Sequence, residues 1–152
     1  MLGFPKYGWT DVHLQDDTGL TFDAPASYLT SVHLDTLNVF TNFYKTHKPQ
    51  SIYYDAEGWD YIVVLDWCNV YVIENKDESK LYNFCLDIDE LGNQVISDIE
   101  NAFEDWADFC FYGYREGLEK HRNENQEELI NALNELKQAK KDFNKRYNRI
   151  SN

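Results

Sequence analysis

The sequence predicts an α+β fold, on three observations. Between residues 51 and 88, four short segments rich in β-branched and aromatic residues are separated by turn signals. Near the N-terminus an apolar–polar alternation folds back across Asp16-Asp17-Thr18-Gly19. After Gly92 the apolar period lengthens from two to between three and four. The expected order is an N-terminal hairpin and helix, a four-stranded antiparallel meander, then two C-terminal helices, the last long and heptad-like.

The hairpin rests on Val12 and Leu14, which alternate with polar neighbours, and on the returning Leu20-Thr21-Phe22. Pro25 is expected to open the first helix with Asp23 as its cap, because proline suits a first helical turn. The apolar positions of that helix are Leu29, Val32, Leu37, Phe40, Phe43 and Tyr44, and Pro49 stops it. In the meander, Ile52-Tyr53-Tyr54 leads through the turn Asp55-Ala56-Glu57-Gly58 to Tyr61–Leu65, apolar throughout as a central strand would be. Val70–Ile73 follows a break at Cys68-Asn69, and after the polar run Asn75–Lys80 the alternation of Tyr82, Phe84, Leu86 and Ile88 marks a strand with one solvated face. After Gly92 one helix is expected, spanning Asn93 to Tyr112 and weakening toward Gly113 and Gly117, its apolar face carrying Val95, Ile96, Ile99, Ala102, Phe103, Trp106, Cys110 and Tyr114. Glu119–Asn125 reads as a turn or fray. The last helix runs from about Gln126 to Ile150, with a seam of Leu129, Leu133, Leu136, Phe143, Tyr147 and Ile150 in which Lys140 fills one place.

The 152 residues suit one domain, and 43% hydrophobic with 16% aromatic content supplies a core and excludes a disordered acidic tail. Two parts are expected: an acidic body over 1–118, and a helix over 119–152 that packs on it or forms a coiled-coil arm. The three cysteines, Cys68, Cys85 and Cys110, lie in apolar stretches without CxxC spacing, so buried thiols are expected rather than a disulfide framework. Neither a signal-peptide core nor a run of the ~20 apolar residues that span a bilayer is found, which points to the cytoplasm.

Charge is the informative quantity. Residues 1–118 carry 6 Lys+Arg against 21 Asp+Glu, while residues 119–152 carry 8 against 6. On the helix after Gly92, Asp98, Glu100, Glu104, Asp105 and Asp108 lie off the apolar face with no Lys or Arg between Asn93 and Tyr112. Helix positions three and four apart are ~5–6 Å from each other, similar to successive phosphates of a nucleic-acid strand. Asp87, Asp89 and Glu90 extend this row. Asp55, Glu57, Asp60, Asp66, Asp77 and Glu78 add acids in the meander. The basic stripe Lys137, Lys140, Lys141, Lys145, Arg146 and Arg149 is read as cations suited to a helix C-terminus and to pairing with the acidic body.

Other patterns are weaker. Asp87-x-Asp89-x-Leu91-Gly92-x5-Asp98 resembles an EF-hand calcium loop but lacks an oxygen ligand at Leu91 and has Asp98 where a glutamate is usual; a strand-to-helix turn explains it better. His13, His33, His47 and His121 have no metal-ligand spacing and are expected at or near the surface. Tyr54, Trp59 and Tyr112 flank turns or acidic runs and are the aromatics expected to be exposed. No nucleophile elbow, phosphate loop or dinucleotide fingerprint is present, and neither cofactor nor metal is expected.

The expected function is therefore binding without catalysis. An acidic inhibitor would occupy a basic nucleic-acid-binding surface of a target protein, in the manner of nucleic-acid-mimicking anti-restriction or anti-CRISPR proteins, and its composition resembles that of small phage and mobile-element proteins. The expected contacts are Asp87, Asp89, Glu90, Asp98, Glu100, Glu104, Asp105, Asp108 and Tyr112. The alternatives are an immunity protein or antitoxin against a basic toxin, and an assembly protein that dimerises through the C-terminal helix. Direct nucleic-acid or membrane contact is not expected.

Overall fold

The computed structural model describes residues 1–109 and 115–150. The α+β expectation holds: a two-stranded sheet, a four-stranded antiparallel sheet and helices follow in the predicted order.

β1 (Trp9–Gln15) and β2 (Thr21–Ser27) form the hairpin. Asp16 closes its turn by accepting from Thr18 N at 2.9 Å and Thr18 Oγ1 at 2.6 Å. These donors, the hydroxyl first, hold the Asp16 carboxyl below its usual range. Pro25 does not open a helix; it lies inside β2, opposite Asp11. Asp11 directs its carbonyl away from β2, to Gly3 N at 2.7 Å, so no donor is needed at Pro25. The helix α1 (Val32–Thr46) begins seven residues later, and Leu29 is exposed in the intervening turn. His47 ends α1 in the left-handed conformation at φ 58°, with its N–H on Phe43 O.

The meander is β3 (Gln50–Asp55), β4 (Asp60–Leu65), β5 (Val70–Asn75) and β6 (Ser79–Phe84), neighbours in sequence order. Its inner face buries Ile52, Tyr54, Tyr61, Val63, Leu65, Val70, Val72 and Phe84. Tyr54 is thus fully buried, not exposed: neighbours in a strand face opposite ways, and Tyr53 takes the outer position. Trp59 is partly buried against the core. The hairpin covers part of this inner face, with Phe22 set edge-on against Tyr61 and Tyr82 at 5.2 and 5.3 Å between ring centres. α1 covers the rest, and Thr36 Oγ1 lies 2.8 Å from the Tyr54 hydroxyl. On the outer face, the register sets Tyr53, Ile62, Ile73 and Leu81 in one row across all four strands. Leu81 is 68% exposed, Tyr53 48% and Ile73 37%, so the apolar run of β4 marks a strand buried on one face only.

α2 (Ile88–Asn101) starts before Gly92, not after it, because Asp87 caps it through Asp89 N at 2.7 Å and Glu90 N at 3.2 Å. Gly92 is helical and faces α1, where the Tyr44 hydroxyl, donating to Ile88 O at 2.9 Å, occupies the space a Cβ would need. The single helix expected from Asn93 to Tyr112 breaks at Ala102 (φ −130°, ψ 36°), and α3 (Phe103–Ala107) follows. α4 (Arg115–Ile150) is helical through Glu119–Asn125, where no turn occurs. That stretch, mixed in helix propensity, is tied to α3 by Asn125 Nδ2, which donates to Ala107 O at 3.2 Å. Leu129, Leu133, Leu136 and Ala139 are buried against the rest of the chain, with α1 as their main neighbour. The seam is therefore packed on the body, and a dimer through it would first have to displace α1. The side chains of Tyr147 and Ile150 lie outside those described.

Candidate functional site

α4 divides the acidic surface in two, because its own charge is divided. Residues 119–135 hold 5 Asp+Glu against 2 Lys+Arg, and residues 136–152 hold 1 against 6. The polarity suits the helix dipole, acids toward the positive end and bases toward the negative one.

The basic half faces α2. Lys137 Nζ meets Glu100 at 2.5 Å. Lys140 pairs with Asp89, which also accepts from Asn144 Nδ2 at 3.2 Å. The Lys140 ammonium lies 5.5 Å above the Tyr44 ring, so the one cation of the seam is solvated by a carboxylate, a carbonyl and a π face. Elsewhere on this side the chain's own amino terminus binds Asp98, at 2.9 Å from Met1 N with Leu2 N at 2.8 Å. Arg122 reaches Asp108 at 2.5 Å, and Gln126 donates to Glu104 at 2.7 Å.

The residues expected to contact a partner thus have several fates. Asp89, Asp98, Glu100 and Asp108 are ion-paired within the chain. Glu104 holds an amide, and Asp87 is a helix cap. Among the described residues Glu90 and Asp105 have no ion-pair partner, and Tyr112 lies outside those residues. The break at Ala102 also turns the row, so phosphate-like spacing does not continue from Asp98 to Asp108. The Asp87–Asp98 stretch is cap and helix rather than a loop, which removes the geometry of a calcium loop.

The acidic half of α4 lies against α1 instead. Glu124, Glu127, Glu128 and Glu135 line a groove of about 440 Å³ with Leu34 and Asn38 of α1. Lys45 pairs with Glu135 at one end, and Glu124 binds His121 at 2.7 Å. Glu127 and Glu128 are exposed and have no ion-pair partner among the described residues. Pooling the whole tail as mildly basic hid this groove; a running charge count along residues 119–152 would have found it.

Two further residue groups depart from expectation. Cys68 and Cys85 are exposed free thiols, not buried ones, since both lie just beyond strand ends, and Cys110 lies outside the described residues. His33 is buried, with its ring 5.5 Å from Trp106 and 5.8 Å from Phe109. Among the described residues its Nδ1 and Trp106 Nε1 have no hydrogen-bond partner, and burial lowers the imidazole pKa to about 4. Among the described residues no group of three His, Cys, Asp or Glu side chains is arranged to hold a metal ion, and no helix is long and apolar enough to cross a membrane. Comparison with protein-family models, with curated proteins and with solved structures finds no match, so function is read from the geometry alone.

Proposed function

We propose that this chain is a non-catalytic inhibitor that occupies a basic nucleic-acid-binding surface of a target protein, acting in the cytoplasm. The observation that carries the reading is the groove between α1 and α4. It gathers Glu124, Glu127, Glu128 and Glu135 on one face, with Lys45 as the cation paired to that glutamate set. Carboxylates without internal partners are the ones that keep an attractive field for an external cation; those already paired contribute little at range. The contact surface is accordingly Glu127 and Glu128 of the groove with Glu90 and Asp105, in place of the whole α2 row. An immunity protein against a basic toxin would use the same physics and differ in its partner.

The test is capture from a lysate of the source cell at low and high salt, followed by competition between this chain and nucleic acid for the captured protein. The expected result is a nucleic-acid-binding protein retained at low salt, released at high salt, and freed of its nucleic acid by this chain. Glu127→Lys/Glu128→Lys should abolish capture. Capture that survives both salt and charge reversal would remove the reading.

A further inference from the structure

The meander ends on an open edge. β6 is the last strand of the order β3-β4-β5-β6, and among the described residues no further strand pairs with it. Such an edge presents backbone N–H and C=O groups to any strand that approaches. The other edge, β3, is flanked by β2 and α1, whereas β6 has β5 as its main neighbour.

The side chains of this edge differ from those of the other strands. β6 reads Ser-Lys-Leu-Tyr-Asn-Phe and carries no carboxylate, while β1 to β5 carry Asp11, Asp23, Asp55, Asp60 and Glu74 in turn. Its charge is that of Lys80, which is exposed and has no ion-pair partner among the described residues. Leu81, at 68%, is the most exposed large hydrophobic residue described. It ends the outer row that begins at Tyr53, so an apolar row stops at an unpaired edge. With a formal net charge of -13, a second copy of the chain is repelled by most of this surface. β6 is the strand where the least like charge would meet.

We propose that β6 pairs antiparallel with β6 of a second copy, about a two-fold axis at Leu81, which joins two four-stranded sheets into one continuous sheet. The hairpin under the inner face requires a register that keeps outer face beside outer face. Centred on Lys80, such a register opposes two ammonium groups. Centred on Tyr82, it sets Leu81 against Asn83. Centred on Leu81, it sets leucine on leucine, Ser79 against Asn83, Lys80 against Tyr82 and Glu78 against Phe84, so no like charges face each other. The Tyr82 hydroxyl already donates to Glu74 Oε2 at 2.9 Å. Lys80 of each copy is therefore brought toward a carboxylate that has no ion-pair partner among the described residues of its own chain. The outer row then runs unbroken from the Tyr53 of one copy to that of the other. Two paired six-residue strands bury less than the roughly 1,200–2,000 Å² of a stable complex, so the dissociation constant should be on the order of 100 µM. The inference is independent of the α1–α4 groove, and its test needs no target protein.

Sedimentation equilibrium of the full chain from about 10 µM to about 1 mM reads the association. Dimers should accumulate across this range, and more of them at higher salt, because screening relieves the repulsion between two acidic bodies. Salt acts here in the opposite sense to its effect on a groove that holds a cationic target. Leu81→Lys, at an exposed position, should weaken association about tenfold or more while circular dichroism and thermal unfolding stay unchanged. Leu81→Cys chains in oxidised glutathione should link to each other through that position, mapped by mass spectrometry, since facing residues of an antiparallel pair lie within disulfide range. A chain that stays monomeric at about 1 mM, a dimer that salt dissolves, a dimer that Leu81→Lys leaves intact, or one whose Leu81→Cys form does not link through that position would each overturn the proposal.

Discussion

The α2 face and the α1–α4 groove are built from the same residue types and meet opposite fates. On α2, Asp89 and Glu100 face the basic half of α4 and are neutralised by Lys140 and Lys137. In the groove, Glu127 and Glu128 belong to the acidic half of the same helix and face Leu34 and Asn38, which offer them no charge. One helix thus closes one acidic surface and builds another. A row of acids read from sequence is a stock of charge; which part of it remains available outside depends on where the nearest cations land.

The largest expected effect breaks the comparison at its base. α1 forms one wall of the groove, and its buried His33 must stay neutral against Trp106. The folded imidazole pKa is about 4, against 6.5 for the free side chain. Between those values the unfolded chain takes up a proton that the folded chain refuses. Stability should therefore be complete above about pH 6.5 and fall by up to about 3 kcal/mol as pH drops toward 4. Urea unfolding across this range should show the loss, and His33→Phe should flatten it. A variant with the same slope as the parent chain would show that other groups carry it.

The next effect separates the two acidic regions. Asp89→Ala leaves the Lys140 ammonium, only 10% exposed, without its counter-charge, and should cost about 2 kcal/mol in thermal or urea unfolding. Lys140→Met removes the charge together with its need for one and should be near neutral, since Asp89 is 41% exposed and can be hydrated. Equal losses in the two variants would mean that packing, not charge burial, governs this contact.

The smallest effect sharpens the same contrast. Glu127→Gln with Glu128→Gln should change stability by less than about 0.5 kcal/mol, and toward greater stability at low salt, because like charges in the groove are relieved. A clear loss would show that these carboxylates have structural partners and are not free to meet a target.

Much of the fold was legible because local pattern and tertiary need coincided. Runs of β-branched and aromatic residues between turn signals set β3–β6, and the three-to-four step set α1, the α2 core face and the Leu129–Leu136 seam. Pro25 misled because proline at a helix start and proline opposite an outward-turned carbonyl look alike until the partner strand is in place. Gly92 misled for a related reason: a glycine required by the Tyr44 hydroxyl is indistinguishable from one required by a turn. Tyr53 and Tyr54 differ only in strand parity, which adjacent aromatics do not reveal.

Composition and periodicity alone determined the α+β class, the element order and an acidity too large for the chain's own cations to cancel. Tertiary structure decided which acids stay uncancelled, and it gathered Asp17, Trp67, Cys85, Asp87 and Phe143 around one groove from four separate stretches. The physical reason is range. Periodicity reports contacts within a turn or a strand pair, whereas ion pairing and pocket lining join residues such as Asp89 and Lys140, 51 positions apart, that meet only once the core has packed.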